Sequence, residues 1–237
     1  MSLNGIDTSS WQSGIDFSAI PGLDFSICKA TQGTHIRDSY ITEFHRQVKQ
    51  LFSLDKLVGA YHYMGGEGSA EAEADYFLSV IDPYVLDVLI AVDYEKTQNA
   101  QFGNLAYLER LCLRIQNVTG VKPLVYSSLS TFPWDLCQEH DWGEWVAQYA
   151  TTATVSGFQD TPWNEGAYSC AIRQYSGNGR LIGYSGPIDL DKAYMTREAW
   201  GRYANPKGAS KDDTGSGSET LPSGTYHIEG DITITPK

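Results

Sequence analysis

The chain has 237 residues, of which 41% are hydrophobic and 19% charged, a balance that supports a sizeable core and excludes wholesale disorder. Its 17 Lys plus Arg against 29 Asp plus Glu leave a net charge of −12, which argues against a nucleic-acid partner, since such a partner needs a basic footprint. No apolar run approaches the ~20 residues of a membrane span, so no membrane insertion is expected, and the length fits one large domain with an appendage.

Met1–Gly5 lacks the basic and apolar stretches of a signal peptide, so synthesis in a cytoplasm, or removal of an earlier leader, is expected. Eight apolar, β-branched or aromatic runs then read as strands: Leu3–Asp7, Phe25–Lys29, Leu57–Tyr63, Val88–Glu95, Pro123–Ser127, Glu144–Tyr149, Cys170–Tyr175 and Pro187–Leu190. Helical patterns fall between the early strands. Ser39–Phe52 follows Asp38 as N-cap, Ser69–Val80 opens on a capping serine, and Phe102–Val118 stops at Gly120. The late strands are joined mostly by Gly, Ser and Asn, with a turn expected at Ser176–Gly179. Strand–helix alternation implies a parallel sheet, and eight strands in about 200 residues imply closure. The expected fold is therefore α/β, an irregular parallel barrel with little helix at its late end; a doubly wound open sheet is the alternative. Composition changes after Tyr203. Residues 1–203 form the barrel, the Gly/Ser/Lys/Asp-rich 204–220 reads as a flexible linker, and 221–237 alternates around Gly230-Asp231 as a β-hairpin tail. Lone hairpins are marginal, so the tail is expected to pair with something, either as the start of a wall-binding module or as the contact of a homo-oligomer.

The four cysteines show no CxxC pair and read as free thiols, and the five histidines form no ligand motif. His62 reads as a satisfied core histidine. Gly177-x-Gly179-x-x-x-Gly183 has the wrong spacing for a dinucleotide loop, and Gly183–Gly186 lacks the last glycine of a nucleophile elbow. No cofactor or metal is expected.

The chemistry is read from carboxylates at strand ends, where a parallel barrel places its active site. Asp7 ends the first strand, Asp93 and Glu95 the fourth, and Asp189 the eighth. First and eighth strands adjoin when a barrel closes, so Asp7 and Asp189 should meet. Asp93 and Glu95, two apart, face one side. Crowded carboxylates in a low dielectric raise one another's pKa, leaving one as proton donor beside an ionised partner, which is what glycoside hydrolysis requires. Helix capping is the bland alternative for any one of them, and a divalent-metal site the alternative for the cluster, though no phosphate-handling loop accompanies it. Tyr61, Tyr63, Tyr126, Trp145, Tyr149 and Tyr175 supply rings that either pack the core or form stacking walls for sugars, with Gln148 and Gln174 as polar contacts.

Eight segments in order across residues 4–195 carry a family resemblance: Gly5-Ile6-Asp7-Thr8-Ser9-Ser10-Trp11-Gln12, Lys29-Ala30-Thr31-Gln32-Gly33-Thr34, Gly59-Ala60-Tyr61-His62-Tyr63, Asp93-x-Glu95, Val125-Tyr126-Ser127, Trp145-Val146-Ala147-Gln148-Tyr149, Gln174-Tyr175-Ser176 and Ile188-Asp189-Leu190. Together they resemble glycoside hydrolase family 25, the lysozymes often found as bacteriophage endolysins. The resemblance implies a barrel with an incomplete helical ring, and cleavage of the β-1,4 bond between N-acetylmuramic acid and N-acetylglucosamine in bacterial peptidoglycan. Glu95 would be the general acid. Asp93 would stabilise developing positive charge or orient the acetamido group, and Asp7 and Asp189 would hold the charge pattern. Tyr61, Tyr63, Tyr126, Trp145, Gln148, Gln174 and Gln32 would line the sugar subsites. The chain departs from the family in having Gln32 where Glu is frequent and Arg173 where Trp is frequent, which bears on substrate preference more than on reaction type. A phage lysin would be made in the host cytoplasm and act on a Gram-positive wall. With 14 basic against 24 acidic residues in 1–203, steering to a polyanionic wall is unfavourable, so wall affinity is assigned to the region after Tyr203. A catalytically silent glycan-binding barrel and a structural phage protein are the competing classes.

Overall fold

The computed structural model describes residues 2–208, and the hairpin expected at 221–237 and most of the linker lie outside the described residues. Strands β1 (Leu3–Thr8), β2 (Phe25–Gln32), β3 (Leu57–Tyr63), β4 (Leu89–Asp93), β5 (Leu124–Ser128) and β6 (Gly143–Ala147) lie side by side and parallel, in sequence order. After a two-residue strand β7 (Val155–Ser156) come β8 (Ile172–Arg180), parallel to β6, and β9 (Ile188–Ala193), which pairs antiparallel with both β8 and β1. Eight strands thus close a barrel, and β7 flanks β8 outside the ring.

The expected all-parallel sheet needs one correction: β9 is reversed. Only Leu181–Pro187 links β8 to β9, whereas a parallel crossover needs a dozen or more residues. The turn expected at Ser176–Gly179 is also corrected. Those residues lie within β8, which bends through two register breaks against β9 instead of reversing there.

Helices α1 (Asp38–Ser53), α2 (Ala70–Ile81) and α3 (Leu105–Thr119) follow β2, β3 and β4 and cover the outside of the barrel. Asp38 falls inside the first turn of α1 rather than capping it, where its charge still suits the helix dipole. Ser69 caps α2 by accepting from Ala72 N, and Gly120 ends α3 at φ 72°, a left-handed conformation that glycine adopts without strain. Between β1 and β2 there are only short 3₁₀ turns, so the helical ring is incomplete. Two helices escape the sequence reading, α4 (Trp134–His140) and α5 (Arg197–Ala204). Both are too short for apolar periodicity to declare itself. His62 is buried between β3 and α2, with Nδ1 2.8 Å from Thr31 Oγ1 and Nε2 3.2 Å from Glu73 Oε2, the satisfied core role expected. All four cysteines are free.

The barrel interior has its own core. At its lower end Phe25 fills the bore and meets Trp200 of α5 at 4.8 Å between ring centroids. Gly5 makes room for it: a Cβ there would lie 2.1 Å from the Phe25 ring. Above this plug come Ile27, Leu89, Ala91, Leu124 and Ile172, then the rings of Tyr61, Tyr63, Tyr126 and Trp145. Trp200 and Ala204 are buried, so α5 is part of the barrel and its last residue overlaps the start of the expected linker. Gly5→Ala should cost about 1–3 kcal/mol by overpacking the bore. In thermal unfolding that appears as a Tm several degrees lower, and an unchanged Tm would show that the plug tolerates displacement.

Candidate active site

At the upper end, strand alternation turns one side chain in two into the bore. On β1 this sends Asp7 inward above Gly5, and Asp189 is its register partner on β9. Because β9 runs antiparallel, Asp189 near its start stands at the same rim as the C-terminal ends of the parallel strands. Asp93 is the last residue of β4. Tyr94 N donates to Tyr126 O, which keeps the chain extended past it, while the Tyr94 ring stacks on Phe102. Glu95 therefore returns to the side of Asp93.

Asp7, Tyr61, Tyr63, Asp93, Glu95, Tyr126, Trp145, Gln174 and Asp189 all line one pocket of about 350 Å³. Gln148 does not. Alternation on β6 turns it outward, where its Oε1 accepts from Asn164 Nδ2 at 3.1 Å, and Tyr149 takes the inward place. Gln32 also lies outside this pocket, lining an adjoining groove.

Gln174 organises the floor. Its Nε2 donates to Asp7 Oδ2 at 2.6 Å, and its Oε1 accepts from the hydroxyls of Tyr126, at 2.8 Å, and Tyr149. The two phenols thereby fix which end of the amide meets Asp7. Trp145 packs edge-on to Tyr61 and tilted on Tyr126, and its Nε1 donates 2.8 Å to Asp191 Oδ1.

Asp191 and Lys29 were not singled out as site residues. Asp191 is wholly buried beneath Asp189. It sits two residues along β9, so the argument that pairs Asp93 with Glu95 would have found it. Lys29 continues the inward series Phe25, Ile27 on β2, and a lysine in an apolar run was the available signal. Its Nζ donates to Gln32 Oε1 at 2.8 Å and stands 4.3 Å from the centroid of the Tyr63 ring.

Five carboxyls, from Asp7, Asp93, Glu95, Asp189 and Asp191, thus share a poorly hydrated bore with one lysine. Burial is the first cause of every shift among them. It raises Asp7 well above the usual carboxyl range, reinforced by the charge of Asp191 and opposed by the Gln174 hydrogen bond. Asp93 is raised in the same way, with Glu95 adding and Lys29 opposing. Glu95 is raised by burial, opposed by Tyr126, Lys29 and Tyr63. Asp189 is pushed up to about 8 by burial, Asp7 and Glu95. Asp191 is pushed up to about 8 by burial, with Trp145 and Asp7 pulling it down. Burial lowers Lys29, while Asp93 and Glu95 support its charge. Among the described residues no group of three or more acidic, histidine or cysteine side chains converges in a way that could hold an ion.

These shifts make stability depend on pH. An unfolded carboxyl titrates near ~4, whereas Asp189 and Asp191 hold protons in the folded chain up to about 8. The folded state therefore binds the excess protons between those values. Their contribution is fully present below the unfolded pKa and is lost as pH rises through the folded one. Tm should fall between roughly pH 5 and pH 8. Asp191→Asn, which keeps an acceptor for Trp145, should flatten that fall; an unaltered slope would remove Asp191 from the account.

Comparison with known proteins agrees with this architecture. The family model described as glycosyl hydrolases family 25 matches residues 6–184. "Uncharacterized protein YegX" of Escherichia coli K12 is 30% identical over 200 residues, covering 80% of this chain and 68% of that protein. "Lysozyme M1" of Streptomyces globisporus is 27% identical over 213 residues, covering 80% and 67%. Among solved structures, the bacterial lysozyme from Streptomyces coelicolor superposes with a TM-score of 0.65 at 24% identity, covering 86% of this chain and 97% of that one. With its carboxylates gathered at the mouth of such a barrel and the family model spanning most of its length, the chain belongs to glycosyl hydrolase family 25.

Proposed function

We propose that the chain is a lysozyme, hydrolysing the β-1,4 bond between N-acetylmuramic acid and N-acetylglucosamine in peptidoglycan. The observation that carries this reading is the Asp93–Glu95 pair. Both carboxyls line the pocket, and Asp93 Oδ1 is buried without a hydrogen-bond partner among the described residues. A buried unpaired oxygen is costly, and a substrate amide N–H would satisfy it. An acetamido sugar seated there orients its amide against Asp93. Glu95, more open and raised in pKa, is then the proton donor to the leaving oxygen. As the glycosidic bond breaks, positive charge grows on the sugar ring, and the surrounding carboxylates favour it. With the acetamido group held by Asp93, its carbonyl oxygen can share that charge. Glu95 then takes the proton of the water that completes hydrolysis. Tyr61, Tyr126 and Trp145 shape the walls against which the rings lie.

Glu95→Gln keeps the shape and removes the proton. It should lower release of muramic-acid reducing ends from purified walls by about a hundredfold or more. Sugar products identified by mass spectrometry check both the bond and the acid. Walls bound but left intact by the unaltered protein would favour the silent glycan-binding barrel instead.

The finer reading is a phage endolysin acting on Gram-positive walls, supported by the motif order and by the polar segment that follows the barrel. We assign wall affinity to residues 209–237, directly or by joining copies of the chain, because the acidic barrel is poorly suited to a polyanionic wall. Ending the chain at Gly208 preserves α5 and should weaken wall sedimentation at least severalfold while soluble glycan is still cleaved. Unchanged wall binding together with unchanged mass in solution would refute both versions.

A further inference from the structure

Beside the catalytic pocket, and sharing Ser9, Trp11 and Lys29 with it, runs a larger groove of about 920 Å³. It lies between the loops that follow β1, β2, β3 and β4. Its charge is opposite to that of the molecule. Arg37, Lys96 and Lys29 line it with His35, against Glu67 alone among acidic side chains, in a chain of net charge −12. Arg37 and Lys96 are exposed and make no ion pair among the described residues, and Arg37 lies 5.7 Å from the Tyr40 ring. The groove residue that holds Lys29 is neutral. Gln32 accepts from Lys29 and donates 2.9 Å to Gln98 Oε1, so it orients the lysine without cancelling its charge. Asn99, 8% exposed, borders the groove with its buried Nδ2 unpartnered among the described residues. Trp11, 90% exposed, forms the ledge between the two cavities.

We infer that this groove binds the carboxylate-bearing peptide stem of the muramic acid residue, so that the chain prefers stem-substituted strands to bare glycan. The inference rests on the lysozyme reading above. Muramic acid carries its peptide on a lactyl ether beside the glycosidic bonds, so a strand seated over Glu95 delivers a stem into whatever adjoins the pocket. Stem peptides present free carboxylates, and the cations that line the groove match them. Trp11 offers an apolar face to the aliphatic residues between.

Binding of soluble glycan strands to Glu95→Gln protein, whose cleavage should be slowed about a hundredfold or more, separates this inference from the catalytic one. The strands come from walls already extracted of phosphate polymers, and half are stripped of stems by an amidase. Stem-bearing strands should bind about tenfold more tightly, with the preference shrinking as salt rises. Arg37→Ser combined with Lys96→Ser should bring the ratio of the two dissociation constants close to one, and Gln32→Glu should move it the same way by cancelling Lys29. Both serine positions are exposed, and circular dichroism checks the fold. Equal binding of the two strand types, or a preference that survives the double substitution, would overturn the stem groove even if the unaltered protein cleaves walls. A preference that obeys these substitutions upholds the groove even if the unaltered protein cleaves nothing.

Discussion

The reversed seating of β9 between β1 and β8 decides where charge collects in this molecule. A parallel final strand would present its C-terminal end at the upper rim. The antiparallel one presents its beginning, and so sets Asp189 against Asp7 with Asp191 one layer below. The short link after β8 enforces that direction, and the rest of the site is an accommodation to it. Gly5 is the register partner of Asp191 and contributes no side chain, Trp145 reaches across to hold one of its oxygens, and Gln174 bridges from Asp7 to two phenols.

Carboxyls packed this closely away from water cannot all be ionised, because each added charge is opposed by its neighbours and by the lost hydration. The arrangement answers with neutral donors rather than cations. Gln174, Trp145 and the tyrosines supply most of the contacts, and among the described residues Lys29 is the one cationic side chain lining the pocket. A site held by oriented dipoles keeps its net negative field while fixing each group in place. In the proposed hydrolysis, that field would favour the positive charge that grows on the sugar ring.

Much of this was legible in the sequence, and for identifiable reasons. The eight strands announced themselves because each is buried on at least one face and rich in apolar or aromatic residues. The Asp93–Glu95 pair was legible because period-two geometry needs no tertiary knowledge. Gln148 was misplaced by neglect of that same rule, since its neighbours Ala147 and Tyr149 take the inward side. Asp191 was passed over because it sits beyond the motif that drew attention to Asp189. The direction of β9 depended on counting link residues, and α4 and α5 are too brief to show a helical period. Lys29 stood in plain view within an apolar strand, yet a lone lysine gives no hint of which carboxylates it faces until the ring is closed.

The plug of Phe25 and Trp200 at the bottom of the barrel has a further consequence. With that end filled by two tilted, packed rings, the buried carboxyls exchange protons and water through the mouth of the pocket. A seated sugar is then also a stopper. While it is seated, exchange between the acidic cluster and solution is limited to what passes around its edges at the mouth.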